Sequence, residues 1–124
     1  GLKFDAKGRL IACEGANTGG GRRVSVTEAD GTVKALADKF EGKKFNSPND
    51  LTLDSKGRIY FSDARYGPRE TMEMRDSDGQ LVEGVYRIDA PGKVERVIGR
   101  EVERANGVLV GGSDPRKDGF ALGY

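Results

Sequence analysis

FNSPNDLTLDSKGRIYFSD, residues Phe45 to Asp63, is the stretch whose reading decides the fold. A polar turn (Asn46, Ser47, Pro48, Asn49, Asp50) leads into an alternating pattern at Leu51 and Leu53, the period of a half-buried strand. Asp54 to Gly57 reads as a hairpin connection, because glycine supplies the positive φ the turn needs, and Arg58 to Phe61 as the returning strand. Polar groups therefore stand just outside both open ends of the hairpin, Asn49 before it and Asp63 after it. Chemistry is expected there.

Working outward, the stretch has an echo. GLKFDAKGRLIACE (Gly1 to Glu14) lies over DLTLDSKGRIYFSD (Asp50 to Asp63), so that Leu2 meets Leu51, Asp5 meets Asp54, and Glu14 meets Asp63. VSVTEADGTV (Val24 to Val33) likewise matches VYRIDAPGKV (Val85 to Val94). Between these, Tyr66 to Glu83 is a charged excursion, expected as a surface loop despite Met72 and Met74. Val33, Leu36, Ala37 and Phe40 fall at helical spacing, but their counterpart Val94 to Ile98 is β-branched. Both are expected as strands, the first with room for a closing helical turn. A third unit opens at Ala105-Asn106-Gly107-Val108, where Asn106 takes the place of Asn49.

Four short strands recurring at roughly 40–50 residues is the period of a propeller blade. The expected fold is all-β, a β-propeller portion with units at about 1–48, 49–105 and 106–124. That amounts to two blades and the start of a third, with the tail 111–124 the weakest match. Propellers close with about four to eight blades, so this chain is expected to be a piece of a longer protein or to assemble from copies. Its open blade edges would then favour self-association.

Composition excludes several classes. The charge is +1, from 21 basic and 20 acidic residues, without the basic footprint of a nucleic-acid binder. No apolar run approaches the ~18 residues of a membrane span and no leader-like run opens the sequence, so a soluble cytoplasmic or periplasmic protein is expected, with no membrane partner. The single cysteine, Cys13, cannot form an internal disulfide. With no histidine, a Ser-His-Asp or Cys-His apparatus is excluded within this chain, as is an ordinary zinc site. Metal chemistry would use oxygen donors, which suit a hard divalent cation such as calcium.

Asn49 and Asn106 hold equivalent places before the first strand of successive units, nearest a propeller's axis, where amide oxygens could ligate calcium. An asparagine before a strand also commonly forms an Asx-turn. Glu14 and Asp63, at equivalent strand ends, could be metal ligands, a base or acceptors for sugar hydroxyls, or could cap the following turn. Asp5 and Asp54 are turn residues. Arg22 and Arg23 follow a glycine run, but no helix follows to make a phosphate cradle. Cys13 reads as a small apolar packing residue.

NSPNDLTLDSKGRIYFSDARYG (Asn46 to Gly67) resembles the core motif of the gluconolactonases, in the senescence-marker-protein/regucalcin and gluconolactonase-like family of six-bladed propellers. GLKFDAKGRLIACEG and ERANGV are similar to the family's neighbouring blades, in order, and the resemblance covers residues 1 to 110. It implies a metal-dependent hydrolase of sugar lactones, with a divalent cation, often calcium, in the central channel. Asn106 matches a metal ligand, and Asn49 a ligand or substrate contact beside it. Glu14, Asp63 and Arg65 are expected to orient sugar hydroxyls. The family's ligand Glu from an earlier blade and Asp from a later one fall outside this chain, so the general base is expected outside it too. Two rivals keep the fold: a non-catalytic binding scaffold, and an aryl-ester or phosphotriester hydrolase.

Overall fold

The computed structural model describes residues 1–16, 21–65, 72–101, 107–111 and 119–123, with strands and no helix among them. Short strands form because three- to five-residue segments with alternating or clustered apolar residues are broken by Asp-x-x-Gly turns. The first sheet has the order β1 (Leu2–Phe4), β2 (Leu10–Glu14), β3 (Arg23–Thr27) and β4 (Val33–Ala37), all antiparallel. A two-residue-strand hairpin follows, β5 (Lys39–Phe40) with β6 (Lys43–Lys44). The second sheet repeats the meander with β7 (Leu51–Leu53), β8 (Ile59–Ser62), β9 (Val85–Ala90) and β10 (Lys93–Ile98). β11 (Gly107–Gly111) and β12 (Gly119–Gly123) form a last pair.

The repeat read from the sequence is a repeat of register. Leu2 faces Ala12 across β1 and β2, and Leu51 faces Phe61 across β7 and β8, at matching places. Both turns are built by one device. The Asp5 carboxylate accepts the amides of Lys7 and Arg9 at 3.0 and 2.8 Å, and Asp54 accepts those of Lys56 and Arg58, both at 2.9 Å. Gly8 and Gly57 complete the turns at φ of 77° and 79°, where a side chain would be strained. The innermost strands are neighbours in space: β7 lies against β1 on one side and β11 on the other. This is how consecutive blades pack around an axis.

The interface between the two sheets is the core. Ile11, Val24 and Val26 from the first meet Leu51, Phe61, Tyr86 and Ile88 from the second, all at most 3% exposed. Phe45 is wholly buried there, edge-on to Phe61 and Tyr86 with centroids 5.0 and 5.1 Å apart. Such aromatic pairs add about 0.5–1.5 kcal/mol beyond their burial. Phe45 thus anchors the polar segment that begins at the next residue.

Two expectations need correction. Lys39 and Phe40 form a strand rather than a helical turn, because the sharp Glu41-Gly42 turn, with φ of 52° and 78°, pairs them with Lys43 and Lys44. The 66–83 excursion is not simply a surface loop. Residues 66–71 lie outside the described residues, but Met72, Met74 and Val82 are at most 6% exposed. The sequence DSDGQ at its tip repeats the Asp turn, with Asp76 accepting the amides of Asp78 and Gln80. A bridge between Arg75 and Leu81 closes this small hairpin, which turns Met74 and Val82 into the core.

Candidate functional site

The polar segment Asn46–Asp50 runs between the inner ends of the two sheets, and almost every backbone group along it is held. The Asn46 and Ser47 amides donate to the two oxygens of Asp63 at 2.9 and 3.0 Å. The Asn49 amide donates to Ser62 O, and the Ser62 amide donates back to Asp50 O. Side chains complete the hold. Asn46 Nδ2 donates to Asp63 O and Val82 O, and Ser47 Oγ accepts the Ala16 amide from the first sheet. Arg22 Nε donates to Phe45 O at 2.7 Å and Asn46 O at 3.1 Å. The Asp50 carboxylate accepts the Val108 amide of β11. One five-residue segment is therefore tied to all three units.

Asn49 is half-buried on this rigid segment, and its carboxamide makes no hydrogen bond to any described residue. An Asx-turn with the residues that follow is thereby absent among the described residues. Asn106 lies outside them. Val108, two residues beyond it, is joined to Asp50, the neighbour of Asn49.

Glu14 lies at the end of β2 and pairs with Arg23 Nε at 2.8 Å, while its other oxygen accepts the Gly21 amide at 3.4 Å. Partial burial works to raise its pKa, but hydrogen bonds from Ser25, Arg23 and Gly21 win and hold it below the usual value. Arg65 donates from its amide to Glu83 and from Nη1 to Asn46 O at 3.2 Å.

Asp63 lies at the end of β8, beneath the polar segment. Its side chain is wholly buried and both oxygens are engaged by the backbone amides of Asn46 and Ser47. Burial pushes its pKa up to about 7, against the Asn46 and Ser47 hydrogen bonds and the charge of Arg22, with Glu83 adding to the rise. Cys13 packs against the core, and burial pushes its thiol up to about 12, which leaves it inert near neutral pH.

The sequence singled out Arg22 only as a residue after a glycine run, weighed for a phosphate cradle, and gave no reason to pair it with Phe45 and Asn46. Its partners lie more than twenty residues away, and its backbone sits at φ 54°. A non-glycine residue there costs roughly 1–2 kcal/mol. Only the charge of Arg22 and the glycine run before it were visible in advance.

Stacked antiparallel meanders whose inner strands adjoin, with a polar segment gripped at their ends, define a portion of a β-propeller with its candidate site at the inner strand ends. Residues 1–113 match the family model described as the SMP-30/gluconolactonase/LRE-like region, and the chain belongs to that family. A gluconolactonase of Zymomonas mobilis is 33% identical over 75 residues, which are 60% of this chain and 20% of that protein. A solved structure of a gluconolactonase of Xanthomonas campestris, described as important in glucose secondary metabolic pathways, superposes with a TM-score of 0.68 at 30% identity. It covers 87% of this chain, which spans 35% of that one. The fold is accordingly that of the six-bladed gluconolactonase propellers, represented in part. None of the described residues forms a helix long and apolar enough to cross a membrane.

Proposed function

We propose that the protein carrying this chain hydrolyses sugar lactones, with Asn49 lending a neutral oxygen to a divalent-cation centre at the inner ends of the blades. The observation that carries this reading is the Asn49 carboxamide, which makes no hydrogen bond to a described residue although the backbone amides of Asn46, Ser47 and Asn49 around it are all held. The bond from Val108 to Asp50 supports a shared centre with Asn106. The family and its gluconolactonase relatives supply the substrate class.

The described residues fit such a centre in part. Asn49 offers an oxygen donor of the kind calcium takes. Among the described residues, no group of three or more His, Cys, Asp or Glu could hold a metal ion. A cation bound there supplies Lewis acidity at the lactone carbonyl. This chain's own residues orient: Glu14 and Arg65 address sugar hydroxyls, and Asp63 fixes the segment that carries Asn49. Open blade faces belong to the same reading, since Leu2 and Phe4 of β1 are 65% and 72% exposed.

Proton release from glucono-1,5-lactone by the full-length protein tests this. Asn49→Ala is expected to lower kcat/KM by about 10²-fold, the scale on which loss of a metal-site group acts. Unchanged turnover would remove Asn49 from the site. Cleavage of an aryl ester with no lactone turnover would move the substrate class to that rival.

A further inference from the structure

Arg22 and Asp63 between them hold the three residues Phe45 to Ser47, and both meet Asn46. Arg22 comes from the loop before β3 in the first sheet, and its Nε meets the carbonyl oxygens of Phe45 and Asn46 at 2.7 and 3.1 Å. Asp63 comes from the end of β8 in the second sheet, and its oxygens meet the amides of Asn46 and Ser47 at 2.9 and 3.0 Å. A cation on carbonyls and an anion on amides are the charge-assisted pairings, shorter and stronger than neutral ones. We infer that these two side chains form a two-sided clamp across the blade interface, and that Arg22 is a positioning residue that fixes Asn49 relative to the first blade. The inference rests on the reading of Asn49 given above.

A merely stabilising role fits Arg22 poorly, for two independent reasons. Its backbone is left-handed at φ 54°, which costs stability that a glycine there would not lose. Its Nη2 is enclosed without a hydrogen-bond partner among the described residues, and an unsatisfied buried donor is also costly. The other non-glycine residue with positive φ, Glu41, sits in the tight turn between β5 and β6, which accounts for it. Arg22 directly precedes a strand, and what its conformation achieves is the reach to Phe45 and Asn46. Ala16, before the same loop, donates to Ser47 Oγ at 3.0 Å, so the first blade holds the segment at two points.

The test uses the full-length protein with Arg22→Gly, Arg22→Lys and, as a control within β9 where Arg87 pairs with Asp89, Arg87→Gln. Hydrogen exchange over residues 45–50, calcium affinity by titration calorimetry, thermal melting and lactone kinetics are read together. Arg22→Gly removes the strain with the clamp, so melting should shift by only a few degrees. Exchange over 45–50 should nevertheless quicken at least about tenfold, and calcium should bind about five- to tenfold more weakly, as outer groups of metal sites show. Arg22→Lys should fall between glycine and wild type, since an ammonium keeps the charge without the planar fork. Arg87→Gln should match wild type in exchange and affinity.

Wild-type exchange and calcium affinity in Arg22→Gly would overturn the clamp. So would faster exchange spread evenly through β8 and β9, the mark of general loosening. A wild-type protein without lactone turnover would refute the proposed function instead, and local exchange in Arg22→Gly would still decide the clamp.

Discussion

The hairpin of β7 and β8 carries a buried aspartate at each end, and the two are held differently. Asp54, at the outer turn, accepts two backbone amides on one oxygen and Arg58 Nε at 2.6 Å on the other. Burial works to raise its pKa, yet Arg58 and the turn amides outweigh that and hold it below the usual carboxylate value. Asp63, at the inner end, accepts one amide on each oxygen, and burial pushes it up to about 7. Deeper burial at Asp63 makes the difference first, and the guanidinium in direct contact with Asp54 adds to it. Arg22 acts on Asp63 through its charge while its Nε is directed to the carbonyls of Phe45 and Asn46. The outer end closes its own turn, and the inner end is arranged around the segment 46–50.

Breaking the outer end should have the largest effect on stability. Asp54→Ala strips the turn of its acceptor for two amides and Arg58, and unfolding of the full-length protein in urea should show a loss of about 2–3 kcal/mol. Asp63→Asn should come next. Its amide nitrogen cannot accept, so one of the Asn46 and Ser47 amides loses its partner, at about 1–3 kcal/mol. This variant should also change the pH dependence. A carboxyl whose folded pKa is raised binds more protons folded than unfolded, so its contribution to stability falls as pH rises from about 4 toward 7. Melting temperatures over that window should decline less steeply in Asp63→Asn than in wild type. Asp54 has the opposite sign, because its lowered pKa gives stability that is lost as pH falls through the folded value.

The smallest effect compares the blades themselves. Asp5 builds the same turn as Asp54 in a more exposed place, with a side chain 12% exposed against 0%. Asp5→Ala should cost about 1 kcal/mol in the same urea titration, as water replaces part of what is lost. Equal losses for Asp5→Ala and Asp54→Ala would mean that burial does not grade the two turns.

These contrasts also mark what the sequence made legible. Asp5, Asp54 and their glycines could be read because the turn bonds span two to four residues, so the pattern and its cause lie in one window. The meanders followed from that repeat. The turn at Asp76 carries the same signature, yet the charge around it drew attention from Met74 and Val82, whose burial depends on where the small hairpin docks. Asn49 and Asp63 were marked as positions, but their roles were not separable, since the bonds that distinguish them run over 13 to 17 residues. Arg22 depends on partners more distant still, and no local pattern signals it.

The central claim is that the segment is held so that the Asn49 carboxamide can serve a cation. Calcium titration calorimetry on the full-length protein and on Asn49→Ala measures this most directly. A single calcium site in wild type, weakened at least about tenfold in the variant while its melting in calcium-free buffer is unchanged, is the expected result. Superimposable isotherms for the two proteins would contradict it.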